Sequence, residues 1–400
     1  MNVWLSGYML ALGGILLLWL SVSSYVIITR ALFDVADLSF HTARRVLERR
    51  LARLGSAEAA LAGLPRRTLA GIAADASTSP PVARIAARRF LDRQGERVIR
   101  HAGAHRNEAQ KWRRISSLRI LSIAGSPEAT RLLRAALEDP DRDVAGAAVS
   151  ILGTGGTLEH AEILVGALRR NVVARSRIAT QLDTFALPIL DIVMPLVDDL
   201  DPAVRQWGAT LIARYDDPAV GLELAGLVVD DDPQVRAAAL KGMARGTSPL
   251  ATPAAMTALA DPVWFVRVHA ARALGRLGHP ELAADVISLL GDPHWWVRTA
   301  AKDALEAMGG DATPAVVRAL RNEDEFVRNS AAEVLQNTGV VDELIARLAD
   351  TPDDELAAWA VQSVFAAGGP ALSEAAVERS DPRVTARARE LQAAAALQAS

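Results

Sequence analysis

One register runs through most of this chain. Aligned on a Val-Arg pair, Val82, Arg113, Val144, Ala174, Val204, Val235, Val266, Val297 and Val327 share one slot, at successive spacings of 30 or 31 residues. The position eight later holds Phe90, Leu121, Leu152, Leu182, Ile212, Met243, Leu274, Leu305 and Leu335. Less regular copies follow near Leu356 and Val384. A fixed period of this length marks a repeat array, in which each unit is a supersecondary element unable to bury its apolar face alone.

Each unit reads as two short helices. In the copy ending at Gly309, Pro280 opens "PELAADVISLLG", which puts Leu282, Val286, Leu289 and Leu290 on one face. Asp292 and Pro293 break the chain. A second helix then runs through "WVRTAAKDALEAMG", with Val297, Ala301, Leu305 and Met308 at helical spacing, and Gly309 and Gly310 permit the stop. Stacked copies bury these stripes against one another in a continuous thin core. Half of the residues are hydrophobic but only 4% are aromatic, so that core is built from Ala, Leu, Val and Ile, which suits closely packed helices. The chain has no cysteine, which excludes disulfides, Cys-ligated zinc and thiol catalysis.

The pattern D-P-x-W/P-x-V-R-x-x-A-A-x-A-L-G-x-x-G resembles HEAT repeats, specifically the short HEAT-like type of phycobilin lyases. The resemblance covers roughly residues 64–395 and is strongest from Asp199 to Gly309. It implies an all-α fold: an α-solenoid of about ten to eleven helix pairs of ~31 residues. It also implies that the Asp five before Val caps the second helix or its turn, and that the Arg after Val reaches an Asp of an adjoining repeat. Carried over, the ladder comprises Asp199, Arg205, Asp230, Arg236, Asp261, Arg267, Asp292 and Arg298, with Asp139, Arg175 and Arg328 in the same slots. Asn322 in the Asp slot, and Ala145, Ala357 and Thr385 in the Arg slot, depart from the pattern and predict a broken ladder toward the carboxyl end.

Trp264 and Trp295 stand two before Val, where sister copies use Pro202 and Pro233. That consensus position at the inter-helix turn predicts indoles packed between neighbouring units. Phe265, Trp296 and Phe326 sit one residue later in three consecutive copies, where Asp143 and Gln234 stand elsewhere. They are the candidate partner-binding ridge, because aromatic anchors dominate binding hot spots. Asp261, Asp292, Glu323, Asp324 and Glu325 flank it and are expected to give an acidic rim suited to a basic, partly apolar partner segment.

No charged side chain occurs from Met1 to Thr29. About 20 apolar residues cross a bilayer core of roughly 30 Å, and Trp4, Tyr8 and Tyr25 suit the two interfaces. A cleaved signal peptide would need a basic start and a shorter apolar run. The reading is one transmembrane helix. Gly7, Ala11 and Gly14 are candidates for close helix packing within it. Arg30, Arg44, Arg45, Arg49, Arg50 and Arg53 follow the span, so positive-inside bias puts the amino end outside and the solenoid in the cytoplasm, at the inner membrane. The same arginines either meet anionic headgroups or solvate a helix in "HTARRVLERRLARLG". The expected organisation is a membrane helix at 1–29, a basic juxtamembrane segment at 30–63, the repeats at 64–395 and a tail at 396–400. Residues 30–119 carry 19 Arg and Lys against 8 Asp and Glu, and residues 120–400 carry 25 against 39.

Catalytic motifs are missing. There is no phosphate-cradling glycine loop and no G-x-S-x-G elbow, and "GTGG" at 153–156 falls in the repeat's glycine slot. His101 and His105 lack the glutamate of H-E-x-x-H and a third ligand, and read as a solvated helix face. "DDLDP" at 198–202 and "DDDP" at 230–233 read as turn and capping residues. HEAT-like DNA glycosylases need a cationic groove, against the acidic balance of residues 120–400; nothing selects a bilin. The expectation is a non-catalytic, membrane-tethered scaffold without metal or cofactor. It would bind a protein partner in an inner-membrane assembly for envelope-polymer synthesis, transport or signalling. The alternatives are a membrane-bound lyase or hydrolase on the same fold, and a periplasm-facing binding solenoid.

Overall fold

A computed structural model describes residues 45–74, 78–103, 108–351, 353–378 and 382–399. The expected membrane segment at 1–29, with Gly7, Ala11 and Gly14, lies outside the described residues. Among the described residues no helix is long and apolar enough to cross a membrane. Every regular element described is a helix. The chain divides into two units, Met1–Leu187 and Pro188–Ser400.

The first unit holds α1 (45–54), α2 (Ala57–Leu61), α3 (Arg66–Ala74), α4 (Pro80–Ala102), α5 (Glu108–Ala124), α6 (Pro127–Ala136), α7 (Arg142–Gly155), α8 (Leu158–Arg170) and α9 (Arg175–Asp183). Helices α4, α5, α7 and α9 pack in succession, and α6 and α8 lie against the same layer. The second unit holds α10 (Leu190–Val193), α11 (Pro202–Ile212), α12 (Pro218–Leu227), α13 (Pro233–Met243), α14 (Ala251–Ala258), α15 (Trp264–Leu277) and α16 (Ala283–Ile287). It continues with α17 (Trp295–Met308), α18 (Thr313–Ala319), α19 (Glu325–Asn337), α20 (Val340–Asp350), α21 (Glu355–Glu378) and α22 (Pro382–Ala399). Its odd-numbered helices from α11 to α21 pack one on the next, and α12, α14, α16 and α18 each pack on the helix that follows. This is the two-layer stack that the period predicts.

The register explains the core. Val204, Val235, Val266 and Val297 are wholly buried, and Ile212, Leu274 and Leu305 lie beside them in the core. Two small residues set the spacing of α15 and α17. A Cβ on Gly275 would lie 2.7 Å from the Ala304 Cα, so only glycine permits this approach. Gly278 then ends α15 with φ of 70°, a left-handed conformation that stops the helix and turns the chain.

Two copies depart from the expected pair of short helices. In α4 the chain runs 23 residues without a break, and in α21 it runs 24. In α4 the glycine of the turn, Gly95, sits inside the helix, and no proline follows to interrupt it. Without a residue that forbids helical backbone, the two halves of α4 fuse, whereas α21 runs on through Gly368, Gly369 and Pro370.

Candidate functional site

The turn preceding each odd-numbered helix of the second unit carries two features: a ladder of ion pairs beneath the surface and a row of aromatic rings on it. In the ladder, Arg205 donates from Nε and Nη2 to the two carboxylate oxygens of Asp230, at 2.7 and 2.8 Å. Arg236 does the same to Asp261 at 2.7 and 2.9 Å, and Arg267 to Asp292 at 2.7 and 2.9 Å. The third nitrogen of each guanidinium turns back on its own repeat, donating to the carbonyls of Asp199, Asp230 and Asp261. The carboxylates also accept backbone N–H groups two residues on, from Asp232, Val263 and His294. One Asp thus folds its own turn and clamps the neighbouring repeat. Burial alone would raise the carboxyl of Asp261; the Arg236 hydrogen bonds, the Val263 N–H and the nearby guanidinium charges outweigh it and hold the group below the ordinary aspartate value. Asp230 and Asp292 are held down in the same way, against the same opposing burial.

A further rung stands in the first unit, and the pairing read from sequence left it out. The Arg114 guanidinium pairs with Asp139, both buried, across the same 25 residues that separate Arg205 from Asp230. The signal was present: Arg113 fills the Val slot, so the residue after it fills the Arg slot. At the far end Asn322 replaces the acid. Arg298 donates to the carbonyls of Asp292 and Pro293, and its guanidinium lies over the Phe326 ring at 4.8 Å.

The aromatic row has a local cause. From α11 to α19 each odd-numbered helix begins two residues before its Val, so Trp264 and Trp295 are the first residues of α15 and α17, where α11 and α13 begin with Pro202 and Pro233. Helical side chains lean over the turn on their amino-terminal side. A first residue has no such turn beneath it. Trp295 is accordingly 55% exposed, which corrects the expectation of an indole packed between units; Trp264 is 36% exposed. Trp264 stacks on His294 of the next repeat at 5.9 Å and meets Phe265 edge-on at 5.8 Å. Trp295 and Trp296 meet at 4.4 Å. Trp296 and Phe326 are 54% and 60% exposed, and Phe265 is half-buried.

Two of these three copies, those of α15 and α17, have also given up a helix cap. Asp201, Asp232 and Asp324 cap α11, α13 and α19 through their side chains, whereas Val263 and His294 in the same place cap nothing. A lost cap costs about 1 kcal/mol. The aromatic row therefore replaces stabilising chemistry with exposed apolar surface. The acidic rim is smaller than expected. Asp261 and Asp292 belong to the ladder, which leaves Glu323, Asp324 and Glu325, all exposed. His294, which the sequence reading passed over, completes the row.

No group of three or more His, Asp or Glu among the described residues is arranged to hold a metal; His105 lies outside them. His269 on α15 is the most perturbed histidine described. Burial, with Lys241 and Arg272 nearby, pushes its imidazole down to about 4, so it is neutral at pH 7.

Stacked helix pairs in two layers, clamped by a repeating Arg–Asp ladder, define a helical repeat protein. The family model for HEAT repeats matches residues 190–267 and 252–336, all within the second unit. Among solved structures, an engineered protein is 17% identical, with 82% of this chain and 98% of that one covered, at a TM-score of 0.35. A Kap121p mutant is 15% identical at a TM-score of 0.46, with 88% of this chain covered; the chain spans 43% of that protein's length. No curated protein sequence matches the chain.

Proposed function

We propose that this protein is a non-catalytic scaffold that binds a protein partner along the aromatic row, tethered to the inner membrane by residues 1–29 with its repeats in the cytoplasm. One observation carries the reading. Trp264, Trp295, Trp296 and Phe326 are exposed in consecutive repeats, the three tryptophans at turns that have given up both cap and proline. Large rings on a rigid stack are suited to hot spots, since they bury much area for little lost side-chain entropy. The carboxylates of Glu323, Asp324 and Glu325 favour a basic, partly apolar segment as partner, with charge speeding encounter more than deepening affinity. A tether would confine both molecules to the membrane plane and raise the effective concentration of a membrane-borne partner, such as an assembly of envelope-polymer synthesis, transport or signalling.

Crosslinking in native membranes, with mass spectrometry of the captured proteins, tests the row. The combined variant Phe265→Ser, Trp296→Ser and Phe326→Ser should lose the partners that the native chain captures while keeping its helical circular dichroism. Each single change should cost about 1–2 kcal/mol of binding. A folded triple variant with undiminished capture puts binding elsewhere. A carboxyl-terminal alkaline phosphatase fusion should be inactive and a fluorescent protein fusion bright; an active phosphatase places the repeats in the periplasm.

A further inference from the structure

The fused helix α4 has a consequence of its own. Its second half, with α3 and α5, lines an open cavity of about 450 Å³ in the first unit, within the range of small-ligand sites. The floor is apolar: Phe90, Val98 and Ile120. Three guanidiniums, Arg66, Arg97 and Arg113, stand around it, and among the described residues no Asp or Glu lines it. Trp112, 64% exposed, forms part of the wall.

One comparison within the chain makes this arrangement unusual. Some arginines of the first unit are engaged, Arg50 with the carbonyls of Ala60 and Ala62, Arg88 with that of Ala124, Arg93 with that of Leu64, and Arg114 with Asp139, while exposed ones such as Arg53, Arg84 and Arg100 bond to no described residue; the cavity differs in gathering three of the latter kind around one apolar hollow. The three at the cavity make no hydrogen bond or ion pair to any described residue, although like charges gathered on one cavity repel. Arg113 also occupies the slot where Val204, Val235, Val266 and Val297 are wholly buried, and here it is exposed. Phe90 fills the second slot of the register and is only half-buried, where Leu274 and Leu305 are core. Phe90 packs on the core of the first unit and also lines the cavity, whereas Arg113 brings a charge to a position that builds core in the other copies. A sequence that breaks its own rule at such a position points to a function there.

We infer that this cavity binds a phosphate monoester carrying an apolar group. Guanidinium forks match phosphate oxygens in pairs, and three forks exceed what the two oxygens of a single carboxylate accept. The apolar group lies over Phe90, Val98 and Ile120, with the Trp112 indole against it. Such an ester is either a lipid phosphate or a soluble aromatic phosphate.

Calorimetric titration of the full-length chain separates these sources and tests the site. The probes are dihexanoyl phosphatidic acid below its micelle concentration, phenyl phosphate, inorganic phosphate, and dihexanoyl phosphatidylcholine as the uncharged-balance control. One of the two monoesters should bind saturably and at least about tenfold more tightly than inorganic phosphate, the apolar group supplying the difference; which one does so names the source. Arg97→Gln with Arg113→Gln should weaken that binding by about thirtyfold or more, from two charge-assisted contacts. Trp112→Ser should weaken the monoester severalfold and leave inorganic phosphate unchanged. All three side chains are exposed, so the variants retain the fold, as circular dichroism will check. Undiminished binding in the double arginine variant overturns the proposal, as does phosphatidylcholine binding as well as phosphatidic acid, or the absence of saturable binding by either monoester.

Discussion

The ladder makes a quantitative claim that a single rung can test. In the rung between α13 and α15, Arg236 and Asp261 share two hydrogen bonds of 2.7 and 2.9 Å, with about a tenth of either side chain exposed (11% and 8%). Removing one partner of a buried pair costs roughly 3–5 kcal/mol. The residual exposure of both groups lowers this, and Asp261→Asn retains an oxygen for the Val263 N–H. The expected loss is therefore about 2–3 kcal/mol. Units in a linear array depend on their neighbours, so the loss should concentrate in α13 and α15 and fade over the next repeats. Hydrogen–deuterium exchange resolves that distribution. Two kcal/mol corresponds to about thirtyfold faster exchange of amides that open with these helices. Arg236→Met combined with Asp261→Asn should cost less than the sum of the two singles, by about 2 kcal/mol. Strict additivity, or exchange raised less than twofold in Asp261→Asn, would refute the clamp and leave the pair as a surface decoration.

The remaining expectations concern pH and the core. His269 has a folded pKa near 4 against an ordinary 6.5, so the unfolded chain binds its proton first; its contribution is present above pH 6.5 and is lost as pH falls toward 4. Allowing for partial exposure the loss is about 2 kcal/mol, and His269→Gln should flatten the urea midpoint across that window. The ladder carboxyls are depressed below an ordinary value of 3.8, so their stabilisation persists above about pH 4 and disappears only in stronger acid. Asp230→Asn with Asp292→Asn should shrink that acid limb to the share of Asp261 while leaving the His269 limb. Val297→Asp places an unpaired charge among wholly buried neighbours and should cost several kcal/mol, with α15 and α19 exchanging faster as well as α17. Confinement of that damage to α17 would mean that repeats do not support one another.

The period alone determined the helical stack, because a hydrophobic slot recurring every 30 or 31 residues can be buried only by copies of itself. It also set the ladder positions, since an Asp and an Arg fixed in one repeat frame face each other whenever the frames stack in register. Even Arg114 was readable from that frame. Tertiary structure decided matters that depend on where a helix starts and stops. Trp264 and Trp295 share a consensus position with prolines, but only the first turn of the real helix shows that an indole there has no preceding turn to pack on, so that Trp264 finds His294 of the next repeat and Trp295 stays over half exposed. The acid between repeats could be tallied from sequence, whereas its division between clamp and rim follows from geometry, which draws Asp261 and Asp292 inward and leaves Glu323 and Glu325 outside. The cavity lay furthest from view. Arg66, Arg97 and Arg113 are scattered over 48 positions of a basic stretch, and they gather because α4 continues through a turn that its sequence does not enforce. Periodicity fixes which faces meet; the gaps between them are set by how far each helix runs.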